Sequence, residues 1–422
     1  MTTYRKSIVT MAALLLLLLP SCKEDGDVVY MLPEVKPVQL TEEQKLMRDD
    51  NNEFAWRLFQ TMQQEQGSTS TVLSPISVTY MLGMLDAGAA GTTRDEITQV
   101  LGFGEQPEAV HEFCKKLIEE APNVDPAATV KMANCIDVNS ALGLNLLKEY
   151  VNEMKTYYHA QVDALDFTKS STLNEINNWC NNNTHGMIPS ILDQINPNAA
   201  MYLISAIYFN AEWREKFDVN DTRNSSFTRA DGTTVNLPLM HRRAVALGCE
   251  SELGSMLCIP FGSAYSSGGY RMYVMMPAEG KNLGDLIGEM SMDELNRHLS
   301  AIDMAPHEVD ILMPRFEIAS DINLVDLLKS MGIKSAFSPQ SANFSNMCST
   351  GLFVSMMKQK AKIEVNEDGA KASAVTISSM DVMADLPPQY VKAEFHATRP
   401  FLYFILEESS RTIFFIGTYC GD

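Results

Sequence analysis

The sequence predicts an α+β fold built as one large domain. Three observations predict it. Apolar residues recur with helical periodicity over 51–62, 75–87, 94–101, 109–119, 144–157 and 173–182, and again over 323–331. Strand-like runs start at 129–138 and 200–210 and dominate the second half, at 256–260, 270–276, 309–314, 353–365, 401–407 and 412–419. The two kinds are segregated rather than alternating one for one, which argues against a doubly wound parallel sheet.

The helix starts carry physical signals. Ser74 stands before Pro75, whose fixed φ and missing N–H suit a first helical turn. Thr92 or Thr93 precedes Asp95 and Glu96, and Ser171 or Thr172 precedes Glu175, which puts a hydroxyl at each cap and carboxylates in the first turn. The last two strand runs flank Glu408, Ser409, Ser410 and Arg411 and read as a hairpin. The stretch EVNEDGAKASAVT, residues 364–376, is unusual. It leaves a strand on the alternation of Ile363 and Val365 and is broken by Glu367, Asp368 and Gly369. Beyond the glycine, Ala370, Ala372, Ala374, Thr376 and Ser378 share one face of an extended chain, while Lys371, Ser373 and Val375 share the other. This is a strand-ready segment with one small, uncharged face.

The chain has 422 residues, of which 45% are hydrophobic and 20% charged, in the ordinary globular range. Its net charge of −20 argues against nucleic acid or an anionic membrane surface as the main partner, because phosphate binding needs clustered cations. The pairs Lys115-Lys116 and Arg242-Arg243 read as solvated surface, and 104–120 is acidic and mixed, so no basic helix for a glycosaminoglycan is evident. Arg5 and Lys6, the apolar run 11–19 and Leu19-Pro20-Ser21-Cys22 read as a secretory signal over 1–22. The run is far below the ~20 residues that a span needs. Its end resembles a bacterial lipobox in which Cys22 is lipidated, although Pro20 departs from the usual form and leaves ordinary signal cleavage open. Lys23-Glu24-Asp25 resembles a surface-export signal. The expected destination is the outer membrane or cell surface as a lipoprotein, or the medium. Residues 23–45, with Gly26, Pro33 and Pro37, read as a tether, and 46–422 as a single domain. Apart from Cys22 the cysteines are Cys114, Cys135, Cys180, Cys249, Cys258, Cys348 and Cys420, an odd number without C-x-x-C spacing, so no disulfide framework is expected.

No catalytic signature is found. The chain lacks G-x-S-x-G, H-E-x-x-H, a Walker loop and a dinucleotide glycine fingerprint, and its histidines are scattered. Paired carboxylates of a glycosidase remain a weak alternative. A binding or inhibitory role is favoured, with no cofactor or metal.

Five stretches in register then resemble the serpins. They are VLSPISVTYMLGMLDAGAAGTTRDEI (72–97), INNWCNNNTHGMI (176–188), AIYFNAEWREKF (206–217), FVSMMKQKAKIEVNEDGAKASA (353–374) and RPFLYFILEESSRTIFFIG (399–417). The resemblance spans about residues 45–422 and implies about nine helices around three β-sheets, metastable, with an exposed reactive loop. It implies a suicide-substrate inhibitor of serine proteases, expected as a monomer, that is joined to its target as a covalent acyl complex. The hinge is Glu367, Asp368, Gly369, Ala370, Ala372, Ala374 and Thr376. The polar cluster where the central strands part is Ser74, Ser77, Ser205 and Gln359, with Trp213 nearby. Here Ser205 stands where the family has Asn and Gln359 where it has His, and a rewired, satisfied network is expected. Family spacing implies a reactive bond at Met383–Ala384, with Met380, Asp381, Val382 and Leu386 as subsite contacts. An apolar Met suits elastase-, chymotrypsin- or subtilisin-like proteases rather than trypsin. The loop is longer than usual, so Met380 and Leu386 stay open as alternative bait residues. Insertion of residues 370–383 as a new central strand would explain the uncharged face, since a buried unpaired charge would stall it. The alternatives are a non-inhibitory serpin acting as a binding or carrier module, and an inhibitor of cysteine proteases.

Overall fold

The first helix, Glu42–Gln66, starts on a capping box. Thr41 Oγ1 accepts from the Gln44 N–H at 3.2 Å, and Gln44 Oε1 accepts from the Thr41 N–H at 3.1 Å. This corrects the expected tether over 23–45. Val38 is buried and its N–H donates to Ser409 Oγ at 2.8 Å, so residues 36–45 belong to the folded unit. Periodicity missed them because the first turn is polar and Leu46 is exposed. The computed structural model describes residues 36–104, 106–262, 269–302, 306–370 and 390–422. The signal and Cys22 lie outside them.

Nine α-helices occur among the described residues. Leu283–Glu289 and Met292–Ile302 were not anticipated; the former has 7 residues, too few to show a period. Helix Pro75–Gly88 is apolar almost all round and is buried along nearly its whole length, as such a helix must be. A side chain at Gly83 would collide with Tyr158, and the Tyr150 hydroxyl donates to Met84 O at 2.9 Å.

The central sheet has the strand order Phe316–Asn323, Met356–Val365, Met201–Glu212, Ala128–Asn139, Gln161–Leu165, with the short strand Gly369–Ala370 added to Met201–Glu212. The other described strands form a nine-stranded sheet. Where three sheets were expected, pairing joins two of them. The cause is Thr234–Glu250, 17 residues long, which pairs with Arg223–Thr228, Gly254–Pro260 and Pro306–Pro314 in turn. The inner face of the central sheet packs on Pro75–Gly88 within the main core. Its outer face carries helix Ser171–Asn183 over a separate cluster, with Ile176, Trp179 and Cys180 set against Cys135, Tyr202, Ile204 and Ala206.

Candidate functional site

Two neighbouring parallel strands of the central sheet part company at one end. Met356–Val365 pairs with Met201–Glu212 from Met356↔Tyr202 to Lys362↔Tyr208 and no further. Ile363, Glu364 and Val365 stay paired with Ile318, Glu317 and Phe316 on the other side. Phe209 and Ala211 stay paired with Val130 and Ala128. The opening between them is filled by the start of the expected hinge.

The chain reverses there in a tight turn. Asn366 N–H donates to Gly369 O at 2.9 Å, and Asn366 Oδ1 accepts from the Asp368 N–H at 3.0 Å, an Asx turn. Gly369 and Ala370 then pair antiparallel with Glu212 and Ala211. Gly369 has φ 140° and any Cβ would collide with the Ala211 carbonyl, so only glycine fits. Trp213 pins this turn. Its indole N–H donates to Asn366 O at 2.8 Å, its backbone N–H donates to Asp368 O at 2.9 Å, and its ring stacks on Phe261 at 4.3 Å. Glu367 is buried, accepts from Thr222 Oγ1 at 2.7 Å, and lies 3.5 Å from the Arg315 guanidinium. Asp368 pairs with Lys216 at 3.2 Å, and Lys216 also reaches Glu212 at 3.1 Å. Sequence reasoning missed Asn366, Lys216, Thr222 and Arg315. Only the Asn-x-x-Gly spacing of the Asx turn was available as a signal.

Below the gap, where the two strands are still paired, Gln359 and Ser205 are directly opposite each other and fully buried. Gln359 Nε2 donates to Ser77 Oγ at 2.6 Å and to Ser74 O at 2.8 Å, while its Oε1 accepts from the Ser74 N–H at 3.0 Å. Ser77 Oγ donates to Ser74 O at 3.1 Å. The expected satisfied network is therefore only half present. Ser205 Oγ, Ser74 Oγ and Asn134 Oδ1 have no partner among the described residues. Gln359 is long enough to cross to the helix start, whereas Ser205 is too short to follow. Ser74 occupies the cap position, but its hydroxyl makes no capping bond. Each such buried orphan costs ~1–3 kcal/mol.

Ala372, Ala374, Thr376, Met380, Asp381, Val382, Met383, Ala384 and Leu386 lie outside the described residues, as does the Ala370 side chain. The chain is next described at Tyr390, before strand Lys392–His396, which runs parallel to Pro306–Pro314.

Comparison with known proteins agrees with this arrangement. The family profile for serpins (serine protease inhibitors) matches residues 49–421. Serpin B10 of Rhinolophus ferrumequinum is 28% identical over 398 residues, covering 88% of this chain and 98% of that one. The native structure of the thermophilic serpin tengpin superimposes with a TM-score of 0.80 at 26% identity, covering 93% of this chain and 97% of that one. Human thyroxine-binding globulin, solved as a complex with thyroxine, gives a TM-score of 0.79 at 26% identity over 89% of this chain and 98% of that one. Proteins of this family generally inhibit proteases rather than act as enzymes. With the parted strands, the glycine hinge and a family match over nearly the whole folded unit in agreement, the chain belongs to the serpins.

Proposed function

We propose that this chain is an irreversible inhibitor of serine proteases, which traps its target by threading residues 370–383 between strands Met201–Glu212 and Met356–Val365. One observation carries the reading: Gly369 and Ala370 already form an antiparallel start in the mouth of the gap. Continuing their register along Met201–Glu212 would bring Ala372 opposite Phe209, Ala374 opposite Ile207 and Thr376 opposite Ser205. Continuing the Asn366↔Gly369 bridge the same way would bring Thr376 opposite Gln359. Since Ser205 and Gln359 are now each other's partners, both registers agree on one slot. The small residues would face the inner helix, and the Thr376 hydroxyl would meet the orphan hydroxyl of Ser205.

The protease serine attacks the Met383 carbonyl, the amine of Ala384 leaves, and an ester joins protease to inhibitor. Water would normally hydrolyse that ester. Insertion adds about a dozen residues of ladder at ~0.5–1.5 kcal/mol each, on the order of 10 kcal/mol. The severed strand of about 14 residues carries the protease roughly 45 Å. Trapping succeeds where insertion outruns hydrolysis. Mixing with an elastase- or chymotrypsin-like protease should give a covalent complex that survives SDS, with a new N-terminus at Ala384. An N-terminus after Met380 or Leu386 would move the bait residue, and a complex with a papain-like enzyme would extend the targets to cysteine proteases. Clean cleavage without a complex would favour a carrier role, the reading suggested by the likeness to a thyroxine-binding protein. Lipidation at Cys22 would hold the inhibitor at a bacterial surface; a mass shift lost in Cys22→Ser tests it.

A further inference from the structure

The cluster beneath helix Ser171–Asn183 holds a carboxylate that loop insertion does not use. Asp137 is 2% exposed, on the outer face of strand Ala128–Asn139. Its neighbours in register are Asp163 on one side and Tyr202 on the other. It lines a cavity of about 70 Å³ with Cys135, Gln161, Asp163, Glu175 and Trp179, and no Lys, Arg or His contributes to that lining.

The groups facing Asp137 offer it little relief. The Cys135 thiol donates to Asp137 Oδ2 at a long 3.5 Å. The Gln161 amide is committed to Asp163 at 2.6 Å, and the Tyr202 hydroxyl accepts from the Asn196 N–H. Glu175 adds a second negative charge from the helix, and burial pushes the Cys180 thiol on the same helix up to about 12. Lys360, whose charge Cys180 feels, donates to Ser190 O and pairs with Asp321 at 3.3 Å. Burial, only partly offset by the Cys135 hydrogen bond, pushes the Asp137 carboxyl up to about 7, and Asp163 and Glu175 push in the same direction.

The mechanical position of this cavity matters. The same cluster that packs Ile176, Trp179 and Cys180 on Ile204 also includes Met356 at its edge. The apolar cluster beneath the helix therefore reaches both strands whose separation insertion requires.

We propose that Asp137 is a pH switch beneath this helix: when protonated it lets the helix clamp the central sheet, and when ionised it loosens the clamp and eases the parting of the strands. The sign follows from linkage. A carboxyl raised in the folded state opposes packing increasingly as pH climbs from its ordinary 3.8 to about 7, and the opposition is complete above that. The clamp stands on packing alone, while its effect on insertion rests on the inhibitor reading.

Hydrogen exchange of the full chain, corrected for the intrinsic pH dependence, tests it. Peptides from 171–183 should lose protection by on the order of tenfold between about pH 5.5 and about pH 8.5. Asp137→Asn should flatten that profile. Glu175→Gln keeps the buried acid and should shift the midpoint downward, which preserves the test if Asp137→Asn fails to fold. Equal protection at both pH values, the same loss in Asp137→Asn, or an unmoved midpoint in Glu175→Gln would overturn the switch. Loosening without faster covalent-complex formation would keep the clamp and overturn its coupling to insertion. No complex at any pH would refute the inhibitor reading, while the exchange data would still decide the switch.

Discussion

Gln359 and Ser205 are opposite each other on the paired strands below the gap, yet the structure assigns them opposite weights. Gln359→Ala removes two donated hydrogen bonds and one accepted bond, and strands the Ser74 N–H at the start of a buried helix. At ~0.5–1.5 kcal/mol for each bond, the loss is about 1.5–4.5 kcal/mol, before any cavity is counted. Ser205→Ala removes a hydroxyl that already lacks a partner, so it should be neutral or stabilise the uncut protein by up to ~1 kcal/mol. Urea unfolding of the uncut protein, followed by tryptophan fluorescence at a fixed pH, measures both. The tryptophans are suitably placed, since Trp213 reports on the hinge and Trp179 on the outer helix. If Ser205→Ala lost as much as Gln359→Ala, or if Gln359→Ala lost less than ~1 kcal/mol, the partner assignment at this site would be wrong.

Two further outcomes bear on loop insertion. Ala372→Arg would put a charge on the inward face and should convert inhibitor to substrate, seen as cleaved protein in place of the SDS-resistant band; undiminished inhibition would refute insertion. Gly369→Val should disrupt the first rung because of the collision at Ala211, and proteolysis near Met383 should raise the unfolding temperature of the wild-type chain but much less that of this variant.

Much of this was legible in the sequence, and the exceptions have causes. Strands Ala128–Asn139, Met201–Glu212 and Met356–Val365 announced themselves as apolar or alternating runs because burial decides their side chains. Phe316–Asn323 alternates too, but Ser320 and Asp321 blur it, and its identity comes from pairing with Met356–Val365. Thr234–Glu250 carries Pro238, His241, Arg242 and Arg243, so only its three partners make it a strand. At the site, Gly369 could be named from its residue type at the break of a strand, and Ser77 and Gln359 from the resemblance to the serpins. The isolation of the Ser205 hydroxyl could not, because it depends on how far one side chain reaches from the sheet to the inner helix. Lys216, Thr222 and Arg315 hold the hinge from three separate segments, and local pattern carries no trace of that convergence.

The rung laid by Gly369 and Ala370 has a kinetic consequence on the inhibitor reading. A free tail would have to search for its slot before zipping, and loop closure would tax every attempt. Here the search is finished before any protease arrives. What remains is the work of prising two neighbours apart, so the fraction of encounters ending in capture rather than escape becomes a direct gauge of how firmly the sheet holds its own seam.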